Sequence, residues 1–172
     1  MFKLMWQLSI GQRDADHVPH SLPFLLGTLC INFSVLFYLI TIATGSLSLG
    51  VWQSVLVISL ISAFTIILLR LCHCEKKTTQ TLLALLSSQS VILVLCVLPY
   101  ILILSLISEN TAEFLYFFGL GTCGVLLITA SIWLFIIYAN IYRKAIDVSL
   151  NASLFISLAL FSIIATIFNI IK

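Results

Sequence analysis

Charged residues are scarce in this chain. Only 8% of its 172 residues are charged and 62% are hydrophobic, whereas soluble domains carry about 25% charged residues. A soluble chain of this length has too little interior to hide so much apolar surface, because size fixes the ratio of core to surface. The composition therefore predicts an integral membrane protein in contact with the lipid bilayer. The formal net charge of +2 is small, so a nucleic-acid partner is not indicated.

Charge is also absent from the middle of every long apolar segment. Proton relays, voltage sensors and ion-coupled transporters use ionisable side chains deep in the membrane despite their cost, and a catalytic Ser needs a base such as His. We therefore expect neither an enzyme nor a bound cofactor. Four neutral polar residues in or near these segments are expected to hydrogen-bond between helices: Asn32, Gln53, Gln89 and Asn140.

Five segments approach the roughly 20 apolar residues that a helix needs to cross about 30 Å of hydrocarbon. The predicted spans are 23–43, 51–71, 90–107, 114–140 and 150–171. The third is the least regular, because it follows the run SSQS and contains Pro99, which should kink the helix. Residues 81–89 either extend a tilted third helix or lie at the interface. The predicted fold is all-α and polytopic, with one five-helix transmembrane domain at 23–172.

Positive charges are distributed unevenly between the two sides of this arrangement. Lys and Arg near membrane ends favour the cytoplasmic side. Seven lie on the side of the N-terminus, and only Lys172 lies on the other; the seven are Lys3, Arg13, Arg70, Lys76, Lys77, Arg143 and Lys144. Omitting the third span would move Arg143 and Lys144 to the opposite side and weaken this asymmetry. We therefore expect a cytosolic N-terminus and a C-terminus outside.

The N-terminal segment 1–22 is predicted to be cytosolic. Phe2, Met5 and Trp6 recur at helical spacing, which is typical of a short interfacial helix; a disordered or protein-packed segment is the alternative. The first span is interpreted as an uncleaved anchor, because its apolar stretch exceeds the usual signal-peptide core of about 7–15 residues. Cleavage near Ala43 and Gly45 is the alternative.

The most polar part of the chain is GQRDADHVPHSLP at 11–23. Asp14, Asp16, His17 and His20 are residue types that ligate divalent metals. Pro19 separates the two His residues and disfavours one helix carrying both. A solvated turn that leads into the first span is the preferred interpretation.

A second candidate site is CHCEKK at 72–77. Cys72, His73 and Cys74 supply three zinc-ligand types, and His17 or His20 would have to supply a fourth from the same side. The preferred alternative is a positively charged loop with reduced thiols. Reversible acylation of a juxtamembrane Cys is a third interpretation.

Glycines mark the start of the fourth span. GLGTCG at 119–124 matches a dinucleotide-binding pattern, but it lies inside an apolar run rather than after a strand. Small residues allow close approach of membrane helices, so Gly119, Gly121 and Gly124 are predicted to pack on another helix. The sequon at Asn151 falls on the cytosolic side of this topology and should not be glycosylated.

A cytosolic N-terminus followed by five closely spaced helices with almost no loops resembles the Yip1-like membrane proteins. The resemblance covers most of the chain, consists of architecture and carries no functional residue across; it implies a role of the membrane-trafficking kind. The chain is also similar to small inner-membrane proteins of Gram-negative bacteria. From the residues, we expect a non-enzymatic scaffold or accessory subunit with a membrane-protein partner or a second copy of itself. A transporter or lipid-handling protein for a neutral or amphipathic substrate is the alternative.

Overall fold

The computed structural model is all α-helical in the residues that it describes. These are residues 22–106 and 113–171, with side chains except at 22, 43, 96–106, 113–120, 123, 127 and 170–171. The helices are α1 (Leu22–Thr44), α2 (Leu47–Leu71), α3 (Thr78–Leu106), α4 (Glu113–Ile146) and α5 (Leu150–Ile171), with a 3-10 turn at Glu75–Lys77 before α3. All five are long and apolar enough to cross a membrane, as the sequence predicted. The chain is therefore an integral membrane protein with lipid-facing helices.

Three helices differ by more than one residue from their predicted spans. Helix α2 begins at Leu47 rather than at residue 51. Helix α3 begins at Thr78 rather than at residue 90, so residues 81–89 extend it instead of lying at the interface. Helix α4 continues to Ile146 rather than ending near residue 140. At about 1.5 Å per residue, α3 and α4 measure about 44 Å and about 51 Å, so both tilt or extend beyond the hydrocarbon. Pro99 does not end α3, which is helical to Leu106. The kink at Pro99 stays a prediction.

Helix α3 occupies the centre of the bundle. It packs against α1 and α4 and makes a smaller contact with α2, while α1 also packs on α2, and α4 on α5. Residues 80–92 of α3 are buried without interruption, on all sides of the helix. The outer helices each bury a narrower stripe, as expected for helices that face both protein and lipid. In α2 this stripe consists of Gly50, Ser54, Val57, Ile61, Thr65 and Leu69.

The ends of α2 and α4 are closed by residues in the left-handed conformation. His73 has φ 55° and Asp147 has φ 56°. After α2, the Cys74 N–H donates to the Leu69 carbonyl at 2.8 Å and the His73 N–H to the Arg70 carbonyl at 3.1 Å. This pair of bonds is the Schellman motif that commonly ends helices. The segment 72–77 is therefore a compact turn that leads directly into α3.

Helices α1 and α2 are in close contact at Gly50. A Cβ atom added there would collide with the Thr41 hydroxyl and lie 3.3 Å from the Phe37 ring. A larger residue at Gly50 would force the Thr41 and Phe37 side chains to move, so the glycine allows the close contact, which is a usual role of small residues between membrane helices. The sequence did not single out Gly50.

Candidate functional site

A cluster of neutral polar side chains lies where α1, α3 and α4 meet. We call Asn32, Gln89, Ser90 and Tyr138 the polar junction. The Asn32 Nδ2 lies 2.9 Å from the Leu86 carbonyl oxygen, 3.1 Å from Ser90 Oγ and 3.3 Å from Gln89 Oε1, and its two hydrogens are shared among these three acceptors. The Tyr138 hydroxyl donates to the same Gln89 oxygen at 3.4 Å. The Gln89 amide of α3 thus joins α1 and α4. This confirms the interhelical hydrogen bonding predicted for Asn32 and Gln89.

The orientation of the Asn32 amide follows from its surroundings. Three acceptors face its nitrogen, so the reverse orientation would place its oxygen against the Leu86 carbonyl. The Asn32 side chain is fully buried, and its Oδ1 has no hydrogen-bond partner among the described residues. An unpaired buried oxygen is costly, and the bonds that the Asn32 nitrogen makes offset part of this cost.

A second polar contact joins α2 to α4. Thr65 Oγ1 donates to the Ile61 carbonyl at 2.7 Å and lies 2.9 Å from the Tyr142 hydroxyl. Because a Thr hydroxyl has one hydrogen, Tyr142 must be the donor to Thr65. The Tyr142 ring also packs edge-on against Phe64, with centroids 6.2 Å apart. Tyr142 therefore fixes α4 against α2 by both a hydrogen bond and ring packing.

The chemistry of this region is neutral. The Ser88 hydroxyl donates to the Leu85 carbonyl at 2.9 Å, within its own helix. Ser87 Oγ is buried and has no partner among the described residues. No His, Asp or Glu is among the residues that contact the polar junction in the described part of the chain. A Ser nucleophile needs such a base to activate it; the contacts described here instead join α1, α3 and α4.

Basic side chains gather at one end of the bundle. We call Arg70, Lys76, Lys77, Arg143 and Lys144 the basic cluster. Lys77 Nζ lies 3.5 Å from the Lys144 carbonyl oxygen, so the 72–77 turn touches the end of α4. A cation beside the last carbonyls of a helix is favoured by the helix dipole. The two loops that the sequence placed on one side are therefore in direct contact.

The candidate metal ligands of the 72–77 turn do not form a site in the described part of the chain. Cys72 and Cys74 are free thiols, and Cys74 Sγ donates to the Cys72 carbonyl at 3.3 Å. His73 serves as the left-handed residue that ends α2. Across 22–106 and 113–171, the structure brings together no group of three His, Cys, Asp or Glu residues. His17 and His20 lie outside the described residues.

Two of the predicted packing glycines of α4, Gly121 and Gly124, have no close neighbour among the described residues. A Cβ atom added to Gly121 or Gly124 would meet no described atom within 4 Å, and Gly119 lies outside the described surroundings. Neither of the first two therefore makes a close crossing with a described part of this chain. The packing predicted for them stays a prediction.

Two surface grooves are lined by apolar side chains. One lies between the start of α2 and the end of α5, at Leu49, Trp52, Gln53, Leu56 and Phe168. The other lies between α4 and α5, at Phe135, Asn151, Leu154, Phe155 and Leu158. Each contains one amide side chain, so both are suited to apolar rather than strongly polar ligands.

Comparison with known proteins gives no assignment: no family model, curated protein or solved structure matches the chain. The likeness to other membrane proteins stays at the level of five apolar helices. Sequence reasoning missed Thr65, Tyr138 and Tyr142. The spacing of the two tyrosines, four residues apart on one face of α4, was the available signal, but it did not identify their partners.

Proposed function

We propose that this chain is a non-enzymatic polytopic membrane protein that works by helix–helix association, as a scaffold or accessory subunit of a membrane complex. The observation that carries the proposal is the polar junction. Asn32, Gln89 and Tyr138 bond to one another across three helices instead of converging on a space for a substrate. Polar groups used in this way rigidify a bundle and specify its packing.

The part of α4 that carries Gly121 and Gly124 supports association with a second protein. Gly121 is exposed, Gly124 is half-buried, and neither meets a described side chain. Small residues on a membrane helix allow a neighbouring backbone to approach closely. We propose that a helix of another protein, or of a second copy, packs there.

The experiment is affinity purification in mild detergent, with Gly121→Leu and Gly124→Leu as test variants. Each should lower recovery of the partner or dimer, because the added side chain blocks the close approach. Ala159→Leu, a small-to-large change on the exposed face of α5, is the matched control and should leave recovery unchanged. A wild-type protein that is strictly monomeric with nothing bound would overturn the proposal.

We also propose a cytosolic N-terminus, an external C-terminus and location in a bacterial inner membrane. The contact between the 72–77 turn and the end of α4 supports a common side for the basic cluster. Thiol labelling in intact cells tests the orientation at the exposed Cys72. Labelling by a membrane-impermeant reagent only after lysis supports the proposal, and labelling of intact cells contradicts it.

The competing hypothesis, transport of a neutral or amphipathic substrate, relies on a helix broken near Ser87–Ser90 and Pro99. Helix α3 is continuous from Thr78 to Leu106. Ser88 is bonded within α3, and Gln89 accepts from α1 and α4. This geometry favours association over a transport pathway through the bundle.

A further inference from the structure

The groove between α4 and α5 has the dimensions and lining of an acyl-chain site. It has a volume of about 470 Å³, within the range of roughly 300–1,000 Å³ that is typical of small-molecule sites. Four of its five lining residues, Asn151, Leu154, Phe155 and Leu158, follow the i, i+3, i+4, i+7 spacing of one helix face. Phe155 is 71% exposed and Leu158 is 52% exposed. The α5 wall is therefore an accessible apolar strip with one amide at its end.

The groove runs lengthwise along the two helices. Asn151 is the second residue of α5, and Leu158 lies seven residues further, about 10 Å deeper at 1.5 Å per residue. On α4, Arg143 lies eight residues after Phe135, which is about 12 Å along the helix and on the same broad face. The basic end of the bundle thus lies above the groove opening, and the apolar wall lies below it.

The charge at this opening is positive. The described charged groups at this end are the five members of the basic cluster and two acids, Glu75 and Asp147, which leaves an excess of three positive charges. Asp147 is the nearer acid along the chain. The Arg143 side chain is exposed and makes no hydrogen bond or ion pair with the described residues. Its guanidinium is available to an anion, and Arg binds phosphate in two-pronged geometry.

We propose that this groove binds one acyl chain of an anionic phospholipid whose phosphate contacts Arg143. A cationic group above an apolar slot complements a molecule with a negative head and a hydrocarbon tail. Basic sites at the ends of membrane helices favour anionic head groups by about 1 kcal/mol per Lys or Arg. A zwitterionic lipid would fill the slot but would not match the excess positive charge. The lipid site does not depend on the partner proposed above.

Native mass spectrometry of the full chain tests the head group. The detergent-purified protein is exchanged with equal amounts of phosphatidylglycerol and phosphatidylcholine that carry the same acyl chains. Wild type should retain phosphatidylglycerol about fivefold better, and Arg143→Gln should remove that preference. Lys76→Gln removes the same charge from the turn before α3 rather than from α4, and should lower the preference less than Arg143→Gln does. Equal retention of the two lipids by wild type, or equal losses in both variants, would overturn the proposal.

The apolar part is tested by filling the groove. Leu158→Trp should lower phosphatidylglycerol retention, whereas Ile163→Trp, also exposed on α5 but outside the groove, should not. If Leu158→Trp does not fold, Phe155→Asn at a more exposed position replaces it. This variant makes the groove wall polar and should also lower phosphatidylglycerol retention. Glycerol phosphate, which has the head group without chains, should bind far more weakly. If glycerol phosphate competes as well as the intact lipid, the groove is not used and the proposal is wrong.

Discussion

Helices α3 and α5 are both long and apolar, yet they occupy opposite environments. Within the 18-residue apolar stretch that qualifies α3 as a membrane span, 72% of the residues are buried, against 17% in the corresponding stretch of α5. Helix α3 nevertheless has the lowest mean hydropathy of the five spans. In a membrane the least hydrophobic helix belongs in the centre, because its polar groups find partners among helices and not in lipid.

The polar atoms of the two helices are used differently. In α5, Ser153 Oγ donates back to the Leu150 carbonyl, and Ser157 Oγ has no partner among the described residues. In α3, Gln89 and Ser90 accept bonds from another helix. The described hydroxyls of α5 therefore make no bond to another helix, whereas Gln89 and Ser90 of α3 tie this helix to α1.

The strongest test of the comparison is loss of apolar volume. Ile92→Ala in α3, where Ile92 is 5% exposed, should lower the free energy of unfolding by about 2 kcal/mol. This value is at the low end of the usual range of about 2–5 kcal/mol, because the unfolded chain in detergent is also surrounded by apolar material. Ile163→Ala in α5, at 41% exposure, should change it by less than about 0.5 kcal/mol. Unfolding in mixed micelles measures both; equal losses would show that α3 is not the structural centre.

A smaller effect is expected at the polar junction. Asn32→Leu should cost between about 0.6 and 1.7 kcal/mol, the range of interhelical hydrogen bonds in membranes. The double variant with Gln89→Leu should cost less than the sum of the two single variants, because they share a bond. Asn169→Leu, exposed near the end of α5, is the control and should be close to neutral. Additive losses in the cycle would contradict the coupling between α1 and α3.

The smallest expected change in stability comes from the turns that precede α3 and α5, and it should be equal for the two turns. His73 and Asp147 occupy the left-handed positions in the turns before α3 and α5. Replacing either with Gly removes the strain of a side chain there and should stabilise the protein by about 0.5–1 kcal/mol. Similar gains in thermal unfolding would show that the helices differ in burial and not in how they begin. Destabilisation by His73→Gly would instead indicate an unrecognised contact of the imidazole.

The irregular third span shows how far sequence reasoning extends. The hydroxyls and amide of 87–90 made residues 81–89 ambiguous between helix and interface, because hydropathy treats lipid as the only neighbour. In the bundle, residues 80–92 are all buried, and Asn32 and Tyr138 of the neighbouring helices supply hydrogen-bond donors that lipid lacks. Only packing could decide this, since it depends on which helices surround α3.

The candidate site was predictable in part. Asn32 and Gln89 stood out as amides in apolar runs, and their interhelical role is confirmed. Tyr138 and Thr65 did not stand out, because an aromatic or a hydroxyl side chain is ordinary in a membrane helix. Tyr138 and its partner are 49 positions apart in the chain, and Thr65 and its partner are 77 apart. Over such separations, the spacing of residues in the sequence does not show which side chains meet.

By itself, the sequence determined that this chain has five helices suited to crossing a bilayer. About 30 Å of hydrocarbon requires long uncharged segments and fully paired backbone groups. The tertiary structure alone decided which helix is central, which small residue permits a close crossing, and how the amides are paired. The reason is physical: lipid and protein interiors are almost equally apolar, so hydropathy locates a helix in the membrane, while shape and hydrogen bonding locate it within the bundle.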